Sequence, residues 1–350
     1  SYVRDMLAEY WGDIPDVDGN GRILVATADE LPENSVAWVF SGDLQNATAC
    51  PNGNQAEITF FQSAFFNQMA NDTPNWAALG TVAHEAKHII GYFNRAAGGQ
   101  GDDPTWLDEG AATLSDEMAA RTAWAATGGP AVNATITGAD IANAVAANDF
   151  RIPKEVWGIT DRISGIIIQL TAHPNSFTTN PTGSGSHNFY QGSWHLQRFL
   201  GDAYGNASGG EAGAFFKSFL ASSATPGTAG LTALTGQTFE KLFLELVTAM
   251  SLDGTGATEP FRRFTTYDLV SATDIYAGPP ILAPPGNYPW PVTTTSDESE
   301  SAGFVTATYE GVMGPAGIRI HDFLSSGAGD GLQLVFDLVP PAKVVVTRLR

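Results

Sequence analysis

From about Pro74 to Met250, apolar side chains recur three and four residues apart, the spacing that lines one face of a helix. The pattern predicts helices over 75–95, 104–124, 138–148, 155–172, 188–204, 210–222 and 237–251, with Gly98-Gly99 and Gly209-Gly210 among the joints. The first seventy residues run differently. After a helical start from Tyr2 to Trp11, short β-branched and aromatic runs at 22–27, 36–40 and 57–61 are set apart by Gly, Pro and Asn clusters, as strands are. Past about Thr258 the helical period fades, and the proline-rich stretch 278–286 cannot continue a helix. Alternating runs at 304–309, 317–320, 332–337 and 343–349 then read as strands.

These patterns predict an α+β chain in three parts. A first domain covers 1–255, strand-rich over 1–70 and helical over 71–255; a linker or extended region covers 256–290; a small β-rich domain covers 291–350. The composition suits a folded protein, with 43% hydrophobic and only 15% charged residues among 350. Charge narrows the partners. With 37 acidic against 17 basic residues the net charge is -20, which disfavours nucleic acid and anionic lipid. No apolar run is long enough to span a bilayer, and the lone Cys50 excludes an internal disulfide. Few lysines and many Gly, Asn and Thr residues suggest a secreted or cell-surface bacterial protein. The start at Ser1, without an initiator Met, suggests a processed form, and a monomer is expected.

The chemistry concentrates in Thr81-Val-Ala-His84-Glu85-Ala-Lys-His88-Ile-Ile90. Residues four apart share a helix face, so both imidazoles can address one ion, while Glu85 lies about 100° around the helix, beside the metal rather than on it. The opposite side carries Val82, Ala83, Ala86, Ile89 and Phe93, which predicts burial. Buried histidines need partners, and a divalent metal supplies them; the competing reading is a core helix whose histidines bond to carbonyls. Twenty residues separate His88 from Glu109 in Thr105-Trp-Leu-Asp-Glu109-Gly. Asp103 offers an N-cap and Pro104 suits a first turn, so Glu109 falls early on a new helix. The glycines of 98–102 let that helix fold back on the first, and Glu109 then completes a His-His-Glu set with an open fourth position. Asp108 is the nearest rival, with the ordinary role of a solvated first-turn residue.

This arrangement resembles the gluzincin metallopeptidases, most closely the hyicolysin family. The likeness extends to Asp16-Val-Asp-Gly-Asn-Gly-Arg-Ile23, the Gly42-Asp43 turn, Asn54-Gln-Ala-Glu-Ile58 and the segment from Tyr190-Gln-Gly-Ser-Trp to Tyr204-Gly, about residues 10–250 in all. The resemblance implies a zincin-like domain with one zinc on His84, His88 and Glu109, Glu85 as general base, and a protein or peptide substrate. It also implies an oxyanion donor from a downstream helix: Tyr190 first, with His187 and His195 as alternatives. Tyr190 has a bland reading too, a core tyrosine with a bonded hydroxyl. The chain departs from thermolysin-like enzymes four residues after the ligand glutamate, where Thr113 replaces an Asp; Asp116 is the nearest acidic residue for that supporting role. His173 and His321 have no supporting context.

Endoproteolysis is the expected activity, since the chain has no Gly-x-Met-Glu-Asn-like segment to hold a free substrate amine; Asn54-Gln-Ala-Glu57-Ile stands nearest. The alternatives are a zinc exopeptidase and a non-catalytic surface-binding protein with a structural zinc. Calcium is a second candidate ion. Asp16, Asp18 and Asn20 take positions one, three and five of a calcium loop, Gly21 the sixth and Arg22 the seventh; Thr27 stands where a bidentate Glu is expected. Distant oxygens would have to complete such a site, or the segment is a tight Asx/Gly turn leading into the strand at Ile23.

Overall fold

A computed structural model describes residues 2–32, 35–71, 76–148, 152–172, 189–205, 212–221, 223–253, 256, 258, 261, 263–274, 295–298, 318, 321–324 and 343. The chain opens with α1 (Tyr2–Tyr10) and continues through β1 (Leu24–Ala28), β2 (Ala37–Trp38) and β3 (Ile58–Gln62). Helices α2 (Ser63–Asn71), α3 (Trp76–Ala97), α4 (Thr105–Ala126), α5 (Gly138–Ala147), α6 (Lys154–Ala172) and α7 (Phe189–Leu200) follow. After these come α8 (Ala212–Leu220), α9 (Gly227–Thr235), α10 (Phe239–Leu252), α11 (Leu269–Asp274) and the short strands β4 (Thr295–Glu298) and β5 (His321–Leu324). The mixture of helix and sheet is that of an α+β chain.

In the N-terminal sheet β3 is central, parallel to β1 and antiparallel to β2. Phe61 points from β3 into a small apolar cluster with Ala37, Phe65, Phe66, Ala78 and Val82, which seats α2 and the first turns of α3 on the sheet. The main core lies in the helices. Helix α4 runs through it, buried along most of its length and packed by α1, α3, α6 and α7. Trp11, Trp194, Phe199 and Phe216 are the largest apolar side chains sealed there.

One buried polar cluster crosses this core. Glu117 on α4 accepts from Trp194 Nε1 at 2.7 Å and from the Tyr267 hydroxyl at 2.9 Å, and pairs with Arg121 on its own helix and with Arg198 of α7 at 3.8 Å. Arg121 then donates to the Ala134 and Thr266 carbonyls. A carboxylate sealed from water persists only when its lone pairs and charge are answered, and here four side chains from three parts of the chain answer them.

Several expectations change. Helices α2, α9 and α11 stand where none is predicted. Phe93 is 38% exposed rather than buried beneath α3. The strands expected at 304–309, 317–320, 332–337 and 343–349 lie outside the described residues except for Ile318 and Lys343; β4 and β5 pair in parallel nearby. No described helix is long and apolar enough to cross a membrane.

Candidate metal centre

The turn from α3 to α4 is fastened by charge. Arg95, in the last turn of α3, holds the Asp103 carboxylate with Nε at 3.1 Å and Nη2 at 2.9 Å, both groups buried. Asp103 also accepts the Gly227 N–H at 2.6 Å. It is therefore no N-cap; Pro104 takes that position without a side-chain bond. The fork of a guanidinium fits a carboxylate in one plane, which sets the two helices side by side.

That pairing brings the expected ligands together. His84 Nε2 lies 3.1 Å from Glu109 Oε2, and His88 Nε2 lies 3.5 Å from the same oxygen. The two imidazole rings stand 5.0 Å apart and nearly perpendicular. Donors about 2.1 Å from a tetrahedral ion sit about 3.4 Å from one another. The measured separations bracket that edge, so the residues fit a zinc ion between them. Side chains of His84 and Glu109 keep 19% and 17% exposure, which leaves the fourth side open to solvent.

Asp108 departs from expectation. It is buried, not solvated, and its Oδ2 lies 2.7 Å from His88 Nδ1. Its Oδ1 pairs with Lys87, which also donates to the Asp108 carbonyl at 3.2 Å. A carboxylate only accepts, so His88 carries hydrogen on Nδ1 and presents Nε2 to Glu109. Burial works against the Asp108 charge, but Lys87 and His88 hold its carboxyl well below the usual range. Burial likewise opposes protonation of His88, yet Asp108 and Glu109 raise its pKa well above that of free histidine. Glu109 is held low, against burial, by His88 and His84. His84, Lys87, His88, Asp108 and Glu109 thus form a tight cluster of opposite charges. Tyr92 stacks on the His88 ring at 5.8 Å and closes that side.

Glu85 is buried at 6% exposure, and burial raises its pKa although His84 and His88 pull it partly back. Tyr190, half-buried at the start of α7, sets its ring 6.4 Å from that of His84. His195 is not beside the ligands. Five residues along α7 it faces another side, between Trp194 and Phe264 in the core, where burial lowers its pKa to about 3. His187 and His173 lie outside the described residues, and His321 begins β5. Asp116 meets Arg162 of α6 at 3.6 Å and is electrostatically coupled to His84, Asp108 bonds His88, and Thr113 is buried.

No protein-family model matches the chain, and no curated protein matches it. The reading of the site rests on its own geometry. Sequence reasoning missed Lys87 at this site, and it weighed Asp108 only as a rival ligand or a solvated residue. A lysine inside an otherwise apolar helix face was the available signal, because such an ammonium needs a buried anion.

Proposed function

We propose that this protein is a zinc-dependent endopeptidase of gluzincin type, with His84, His88 and Glu109 as ligands and a protein or peptide as substrate. The observation that carries the reading is the approach of both histidine Nε2 atoms to one Glu109 oxygen, at 3.1 and 3.5 Å. A zinc ion bound there supplies Lewis acidity for the scissile carbonyl and lowers the pKa of water.

The chain's own groups do the rest. Glu85 accepts the proton of the attacking water and returns it to the departing amine nitrogen. Burial pushes the Glu85 pKa up, the direction that makes its carboxylate the better proton acceptor. Tyr190 is the proposed hydroxyl donor to the developing oxyanion, supported by its place beside His84. Asp108, itself held by Lys87, orients His88. A site that served only to hold a structural ion would have no use for the buried Glu85 carboxylate beside it.

Metal analysis together with cleavage of an unstructured protein tests this. Wild type and Glu85→Gln are both expected to retain about one zinc per chain, while the substitution and a chelator each abolish cleavage. Unchanged cleavage by Glu85→Gln would remove Glu85 as the base. A chain that takes up no zinc would remove the whole reading.

A further inference from the structure

A second convergence of acidic groups lies on the sheet, apart from the histidines. Asp16, Asp18 and Glu57 each offer a carboxylate oxygen within 4.8 Å of the other two. The sheet register makes this meeting. Glu57 immediately precedes β3, and its carbonyl accepts the Leu24 N–H at 2.7 Å where β1 begins. Parallel pairing of β1 with β3 therefore carries Glu57 to the loop that leads into β1.

Glu57 is the telling member. It is 1% exposed; one oxygen accepts the Val17 N–H, between the two aspartates, and Oε2 has no hydrogen-bond partner among the described residues. No described Lys, Arg or His forms an ion pair with any of the three. Three carboxylates this close repel, and a sealed one without a counter-charge is costly. A bound cation answers both.

We propose that Asp16, Asp18 and Glu57 bind one calcium ion, which fastens the 16–22 loop to the sheet. The donors are all hard oxygens, which favour calcium or magnesium over zinc. The loop has calcium-loop spacing, and Gly19 and Gly21 take φ of 75° and 66°, which keeps the turn tight enough for its side chains to share a centre. Glu57 supplies from a neighbouring strand the carboxylate that Thr27 cannot supply from the loop. Calcium suits this site better than magnesium, because calcium accepts an irregular oxygen set drawn from an exposed loop and a buried glutamate, whereas magnesium demands near-ideal octahedral geometry. The inference does not rest on the peptidase reading.

Calorimetric titration of the full zinc-loaded chain with calcium chloride tests it, alongside thermal melting. About one calcium per chain is expected, with Kd on the order of 10⁻⁴ M and a melting point that rises with calcium. Asp16→Asn and Asp18→Asn change exposed residues, so they fold, and each weakens binding about tenfold or more; Glu57→Gln abolishes it. Calcium binding that persists in His84→Ala keeps this result separate from the zinc site. No saturable heat and no melting shift up to about 10 mM calcium, or wild-type affinity in Asp18→Asn, overturns the proposal.

Discussion

Asp108 and Glu109 are neighbours in sequence with opposite assignments. Glu109 turns its oxygen toward both imidazole Nε2 atoms, while Asp108 reaches behind His88 to Nδ1. Consecutive helix positions lie about 100° apart, so one side chain can face the ion position and the next its supporting layer. Spacing alone placed Glu109 with the two histidines but read Asp108 as solvated, because burial of a first-turn residue depends on what packs over it. Asp108→Asn is expected to weaken zinc binding by about 10- to 100-fold, as competition with a chelating dye would measure, and to cost about 3–5 kcal/mol of stability because the buried Lys87 ammonium loses its counter-charge. Unaltered zinc affinity would reduce the Asp108–His88 bond to a packing detail.

At the scale of elements, the site depends on how closely α7 approaches α4. Gly110, next to Glu109, faces Ser193 so tightly that a β-carbon there would lie 2.6 Å from the Ser193 Cβ and 2.8 Å from its backbone carbon. That contact is one turn from Tyr190, so the same glycine sets the tyrosine's distance from His84. Gly110→Ala must push α7 away, since backbone cannot swing aside as a long side chain does. A loss of about 1–3 kcal/mol in unfolding free energy is expected. Gly91→Ala on α3 is the control. There the nearest atoms would be 3.7 Å away, an ordinary contact, so no loss is expected and a gain of up to about 1 kcal/mol follows from helix propensity. Equal melting curves for Gly110→Ala and wild type would contradict the close-packing argument. The helices that sequence reasoning missed are of the same nature. Gly227–Thr235 dilutes its Ala and Leu with Gly and Thr and is seated by the buried Leu231, while Ser63–Asn71 carries the Phe65 and Phe66 of a strand-like run.

Across the whole molecule, stability depends on groups that join distant segments. Asp253, after α10, accepts the Leu269 N–H at 2.7 Å and the Val270 N–H at 3.3 Å, capping α11. Burial raises its pKa to about 6, outweighing those two bonds. The folded chain thus binds a proton more tightly there than the unfolded chain, whose carboxyl titrates near 3.8. The extra stability is full below the unfolded value and fades as pH rises through about 6. Relative to Asp253→Asn, wild type should gain about 2.5 kcal/mol on going from pH 8 to pH 4, read from denaturant unfolding across that range. A difference independent of pH would show that Asp253 titrates normally.

The linear chain by itself determined the helical period from Pro74 to Met250, the three N-terminal strands and the grouping of His84, His88 and Glu109. Those are local properties, written in spacing of three, four or two residues. Only tertiary structure decided that Asp103 serves Arg95, that Asp108 supports His88, that His195 belongs to the core and that Glu57 meets Asp16 and Asp18. Each of those outcomes joins residues from different elements, or depends on which face of a helix a neighbour covers. The physical reason is that a charged or polar side chain takes its role from the partner that compensates its lost water. Local periodicity does not specify that partner.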